Sequence, residues 1–407
     1  GMAAFLREIA ALIRNSNAQA IAQRLQLSST DSPKRQYVDS LSSKSYQAAN
    51  TECERQVSGD WAEVVCHSCL AASAVKQAKL DEACKHQEAA VEAFLRVFKT
   101  LTRAWLPVFY ALLVDLRKIA SDADAQAREA DGGVPNESGC LEAAGRVMRK
   151  CLAQELRDED NDKSICRSWG ALFVANQCNK IFFRLNTLKH VKSLVLPTMV
   201  SIDEYPLADR VTWRFFQGRV AMLDGMHDKA EADLSFAFNN TPPAHAHNRR
   251  VVLCYLIPVR LLLYQNKPSP TRRAAIPTQE LLEKYKLPEF KDLVRAFVTG
   301  NVMLFDEALE EHMDFFVGRS IYLLLHKLKL CVYRNLFKRA YNVEKKSQVK
   351  LDVFVAAVRA CGCKDVEPEQ VECMLANLIF SGMVKGYIAH KQKTVVLKKD
   401  DPFRTVG

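Results

Sequence analysis

Lys385-Gly386-Tyr387-Ile388-Ala389-His390-Lys391-Gln392-Lys393-Thr394-Val395-Val396-Leu397-Lys398 is the stretch that decides the fold class. β-Branched and aromatic side chains alternate through Lys385 to His390 and again through Thr394 to Lys398, so the two runs predict a hairpin across Lys391-Gln392-Lys393. Ahead of it the period changes to that of helices. Pro368 suits a first helical position, and Val371, Leu375, Leu378 and Ile379 form the stripe that follows. Gln348 to Ala360 predicts another helix, with Leu351, Phe354, Val355 and Val358 inward, and Ile321 to Tyr341 a long one before it, so that the segment opened by Pro368 is third in chain order.

Helix, helix, helix, hairpin is the order of a winged helix. Its charge sets it apart. From Arg319 to Gly407, 17 Lys and Arg stand against 8 Asp and Glu, which accounts for +9 of the formal +10 and leaves the first 318 residues nearly neutral. A basic module on a neutral scaffold points to a polyanion. Major-groove reading needs Arg, Lys, Asn or Gln on the exposed side of the third helix, but Pro368 to Phe380 carries Glu369 and Glu372 and no Lys or Arg. The cations lie at Lys385, Lys391, Lys393, Lys398 and Lys399 around the hairpin, and at Arg334, Lys338, Arg339, Lys345 and Lys346 near the end of the long helix. These ten are candidates for phosphate contact without base information. The competing reading is a solvated strand edge on which lysine blocks aggregation.

The rest of the chain reads as mainly α. With 407 residues, 48% hydrophobic and 26% charged, it has the composition of a folded globular protein, and Gly (15) and Pro (14) are scarce, as helices require. Thirteen cysteines, an odd number with several on apolar helical faces, fit a reducing compartment better than a disulfide framework. No signal peptide is expected, because Arg7 and Glu8 break Phe5 to Ile13. Val251 to Tyr264, interrupted by Pro258 and Arg260, is too short to span a bilayer.

Three regions follow from this. Residues 1–60 hold an N-terminal helix or two, over Ala3 to Leu27, and a polar, Ser-rich connector over Ser28 to Asn50. Residues 61–318 read as stacked helical hairpins, and 319–407 as the winged-helix module. Gly218, Ala230, Leu234, Ala237 and Pro242 fall on the small, bulky, small and proline positions of a tetratricopeptide-like pair, although Arg214 stands where an aromatic is preferred. An unrelated helical hairpin fits the same residues.

Motifs for catalysis are sparse. There is no phosphate-binding glycine loop and no His-Glu-x-x-His. Cys66-His67-Ser68-Cys69, with Cys84 and His86, invites a zinc or redox reading, but the latter two point to different faces if their segment is helical. Buried thiols are the plainer account. Neither catalytic residue, cofactor nor metal is expected.

Several stretches carry a family resemblance: Trp105-Leu-Pro-Val-Phe-Tyr110 with Asp115-Leu-Arg117, Tyr255-Leu-Ile-Pro-Val-Arg260, Tyr333-Arg-Asn-Leu-Phe-Lys338, Ala376-Asn-Leu-Ile379, Val384-Lys-Gly-Tyr-Ile388 and Asp401-Pro-Phe403. Together they resemble the PCI-domain family, and within it the PCI subunit of the second transcription-and-export complex. The resemblance implies stacked TPR-like helical pairs capped by a C-terminal winged helix, in a nuclear, non-enzymatic scaffold subunit working at nuclear pores. It further implies a large PCI-bearing scaffold partner, a small acidic disordered partner, and binding of RNA or DNA in messenger RNA export. Arg249, Arg250 and Arg260, flanking the mid-chain helices, are candidates for the acidic partner. An assembly-only subunit of the proteasome-lid or COP9-signalosome kind is the alternative.

Overall fold

The computed structural model describes residues 2–29, 31–57, 59–130, 139–156, 162–266 and 269–403. The chain divides into two compact units, residues 1–213 and 214–407. Both are helical, and among the described residues strands occur only after residue 347.

In the first unit, Asp60–Lys76, Leu80–Phe98 and Leu106–Ala130 pack in succession. Their core is aromatic, with Phe98 stacked at 5.3 Å from both Phe94 and Phe109. The N-terminal stripe forms two helices, Met2–Arg14 and Ala18–Leu25. The expected polar connector is instead largely helical, over Ser32–Ser40 and Tyr46–Glu54. A few buried side chains suffice to anchor it: Tyr37, Val38, Ala49 and Cys53. Lys34 is buried too, and its Nζ donates to the carbonyls of Leu25 (2.9 Å) and Gln26 (2.6 Å), satisfying acceptors that a helix end leaves open. The breaker-rich loop at 131–138 lies outside the described residues.

In the second unit, the pair around Gly218 is a close-packed hairpin. A Cβ on Gly218 would stand 2.7 Å from Leu234 Cγ, and Ala230, Leu234 and Ala237 are fully buried. Arg214, out of place in the repeat pattern, joins Asp233 at 2.7 Å and lies over the Phe236 ring at 5.6 Å, so a cation on an aromatic stands where an aromatic was sought. Ala246–Asn266 continues through Pro258.

The winged helix differs from its expected boundaries in two places. Ile321 to Tyr341 is not one helix but two, Tyr322–His326 and Lys329–Glu344. Leu325, Leu328, Cys331 and Val332 are all buried, so apolar spacing runs through the turn without a break and hides it. Gln348 opens a strand, not a helix: β1 (Gln348–Lys350) precedes Leu351–Ala360. With β2 (Gly386–Ala389) and β3 (Thr394–Leu397) it makes an antiparallel sheet in the order β1-β3-β2, pairing Val349 with Val395 and Tyr387 with Val396. Three residues are too few for a two-residue period to register.

Helix Lys291–Thr299 lies against Lys329–Glu344 through Gly300, which caps it in the left-handed region at φ 75°. A Cβ there would collide with the Leu336 backbone. Gly300→Ala is therefore expected to destabilise the second unit by about 1–3 kcal/mol, from overpacking and backbone strain. The check is urea unfolding, in which the midpoint falls while the m-value stays constant.

Candidate nucleic-acid interface

The end of Lys329–Glu344 fixes the site's geometry. Lys345 caps the helix at φ 51°, its N–H donating to Tyr341 O, and the chain turns into β1. Leu397 N then donates to Ser347 O at 2.7 Å, and Lys398 N to Lys385 O at 3.0 Å. Lys345, Lys346, Lys385, Lys398 and Lys399 thus gather at one end of the sheet, all exposed. Only Lys346 among them takes an ion-pair partner within the described residues, Glu344 at 3.5 Å.

Lys391 and Lys393 occupy the opposite end, at the hairpin tip, where Lys393 adopts φ 45°. Lys350 joins them, its Nζ donating to Gln392 O at 3.3 Å. The sequence expectation of a helix from Gln348 leaves Lys350 out of the candidates, whereas β1 places it on the sheet. With strand residues about 3.4 Å apart, the two lysine groups lie some four residues, or roughly 14 Å, from each other, so a strand meeting both would pass more than one nucleotide between them. Between them Tyr387 on β2 is 61% exposed, an aromatic face within the basic edge.

Arg334 is a correction. It is 1% exposed, its Nη2 donating to Phe403 O (2.6 Å) and its Nη1 to Asn335 Oδ1 (2.9 Å). The i, i+4 spacing of the basic helix residues does not reveal that this one faces inward, where it holds the chain end. Arg339 is exposed, with Nη1 fixed on Thr299 O at 2.7 Å. Lys338 is half-buried, and desolvation, followed by the charges of Arg334 and Arg273 against that of Asp401, lowers its pKa. Helix Pro368–Phe380 presents Glu372 toward the wing, 2.5 Å from His390 Nδ1. Its charge is that of an element not meeting phosphates.

Arg249, Arg250 and Arg260, the candidates for an acidic partner, are each engaged within the fold and partly exposed. Arg249 donates to Thr241 O (2.7 Å) and Tyr285 Oη (3.0 Å). Arg250 pairs with Glu289 at 3.1 Å, and Arg260 with Glu231 at 3.3 Å. They cross-link neighbouring helices.

The cysteine motif sits in helix Asp60–Lys76 with both thiols buried. A hydrogen bond with Cys53, then burial, pushes the Cys66 thiol up, and burial pushes Cys69 up to about 12. Its hydrogen bond with Cys140, then burial, raises Cys84 likewise. Thiols so held are protonated and poor nucleophiles. His86 Nδ1 faces His67 Nδ1 at 3.1 Å, and no metal-holding group of three His, Cys, Asp or Glu occurs among the described residues.

Comparison with known proteins converges on the same module. A model of the PCI domain matches residues 309–399, from the helical layer through β3. PCI domain-containing protein 2 of Xenopus laevis is 36% identical over 326 residues, covering 79% of each chain, and that of Danio rerio is 34% identical over 86% of each. The Protein CSN12 homolog of Yarrowia lipolytica is 27% identical over 73% of this chain and 75% of its own. Identity of this level across four-fifths of the chain, with the domain model lying on the helices and sheet described above, makes this chain a member of the PCI domain-containing protein 2 family.

Proposed function

We propose that the chain is a non-catalytic scaffold subunit of a nuclear complex that couples transcription to messenger RNA export, and that its winged helix adds a basic surface to nucleic-acid binding. The observation that carries this reading is the gathering of exposed lysines from three separated segments onto one small sheet. Lys345 and Lys346 arrive from the helix end, Lys350 from β1, and the rest from the hairpin. With Arg334 buried, Lys338 half-buried on the helix and Arg339 held on Thr299 O, seven of the ten expected cations lie on this surface, and Lys350 is added. Binding of this kind is electrostatic and independent of sequence, because the acidic third helix supplies no base-reading cation.

Within that reading, the large PCI-bearing partner docks on apolar winged-helix surface and the small acidic subunit on the helical layer. The complex works in the nucleus, at nuclear pores, with a cytoplasmic fraction. Arg249, Arg250 and Arg260, partly exposed although each already has an acceptor within the fold, are the candidate contacts for the acidic subunit. A second reading, an assembly-only subunit of the proteasome-lid or signalosome kind, draws support from the sheet's two outer strands. β1 and β2 each pair on one side alone among the described residues, leaving edges that another winged helix would extend. The relative named Protein CSN12 homolog is in keeping with it.

Charge reversal separates the two. Lys391, Lys393, Lys398 and Lys399 replaced together by Glu should weaken binding to unrelated oligonucleotides. The slope of log affinity against log salt should become shallower by about 0.7–0.9 for each phosphate no longer neutralised. Titrations at several salt concentrations, with the large partner present, read both quantities. Unchanged affinity and slope would favour the assembly-only subunit.

Tyr387→Ala tests stacking apart from charge. Single-strand affinity is expected to fall by about 1–3 kcal/mol per stacked base with the salt slope unaltered. Equal loss for duplex and single strand would reject a stacking role.

A further inference from the structure

Away from the hairpin, the second unit contains a cleft of about 410 Å³ between Lys291–Thr299, Pro270–Ala274 and Lys329–Glu344. Among the described residues that line it, four are cationic, Arg273, Arg334, Lys338 and Arg339, and none is acidic. They reach it from two elements far apart in sequence, so the concentration of charge is a product of the fold and not of a basic run. The aromatic ring of Phe297 and the amide of Asn342 complete a mixed apolar and polar wall.

Like charges held together are costly unless something offsets them. Lys338 registers that cost, its pKa lowered by burial and by the neighbouring Arg334 and Arg273, with Asp401 beside the cleft opposing them. Arg339 enters the wall with its position set by Thr299 O, whereas Arg334, 1% exposed and bonded to Phe403 O and Asn335, lies behind the wall and adds charge but no free donor surface. A rigid, half-enclosed group of guanidinium and ammonium donors matches a multiply charged phosphate, for which charge-assisted and forked hydrogen bonds are strongest.

We propose that this cleft is a binding site for a phosphate group of two or more negative charges, separate from the lysine surface of the wing. Its volume accommodates a nucleotide or a small polyphosphate and excludes a duplex. The two sources of such a group are a free polyphosphate and the phosphorylated end of a nucleic-acid strand. The site stands whether or not the hairpin lysines bind nucleic acid.

Calorimetric titration of the full chain with sodium tripolyphosphate tests it. The wild type is expected to bind saturably, and Arg273→Ala with Lys338→Ala to bind about tenfold or more weaker, as loss of charged hydrogen bonds implies. Arg273→Ala alone, at an exposed side chain, keeps the test valid should the double variant fold poorly. The chain carrying Glu at Lys391, Lys393, Lys398 and Lys399 should bind tripolyphosphate as the wild type does. Competition by a 5′-phosphorylated oligonucleotide, but not by its 5′-hydroxyl counterpart, would support the site and identify a strand end as its source. Absence of competition by either, with tripolyphosphate bound, would support it with a free polyphosphate. No saturable binding, undiminished binding by both cleft variants, or loss of binding in the hairpin variant would overturn the proposal.

Discussion

A buried guanidinium and its neighbouring amide hold the second unit together. Arg334 donates to the carbonyl of Phe403, near the chain's end, while Asn335 Nδ2 donates to Phe297 O at 2.7 Å, in the helical layer. A charge taken out of water is tolerated only where hydrogen bonds replace its hydration, so this helix turn has little freedom to move relative to either neighbour. On one side it ties down Asp401-Pro402-Phe403, whose Pro402 O accepts from Lys385 N at 2.7 Å and so sets the base of the hairpin. On the other it meets the Gly300 cap. Wing, helical layer and basic cleft are all positioned from two adjacent residues.

That arrangement explains which parts of the fold were legible in the sequence. The hairpin could be read because β-branched and aromatic residues recur over four paired positions on each strand, and on β3 Val395 and Leu397 turn inward. β1 could not, since Val349 is its single buried residue, and one buried position has no period. The helical pair at Gly218 was readable through its small residues, which record a close approach of backbones. Ser32–Ser40 was hidden for the opposite reason: its burial rests on Tyr37, Val38 and the stem of Lys34, a residue type that ordinarily marks surface.

The candidate site was legible in its charge and not in its division. Composition located the cations within ninety residues, yet burial removed Arg334 from the surface, strand pairing added Lys350, and folding distributed the rest between the two ends of a sheet and a cleft. Charge sign is local information, whereas exposure depends on partners distant in sequence, such as Phe403 for Arg334. Exposed lysines combined with an acidic third helix give a surface suited to following a phosphate backbone, whatever the bases.

The most direct test of this account is to map where nucleic acid touches the chain. Ultraviolet crosslinking of the full chain to a uridine-rich single strand, followed by mass spectrometry of the joined peptides, gives that map. Crosslinks concentrated in residues 345–350 and 385–399, with Tyr387 prominent, are the result the account predicts. Crosslinks confined to residues 1–213, or on helix Pro368–Phe380 in place of the wing, would contradict it.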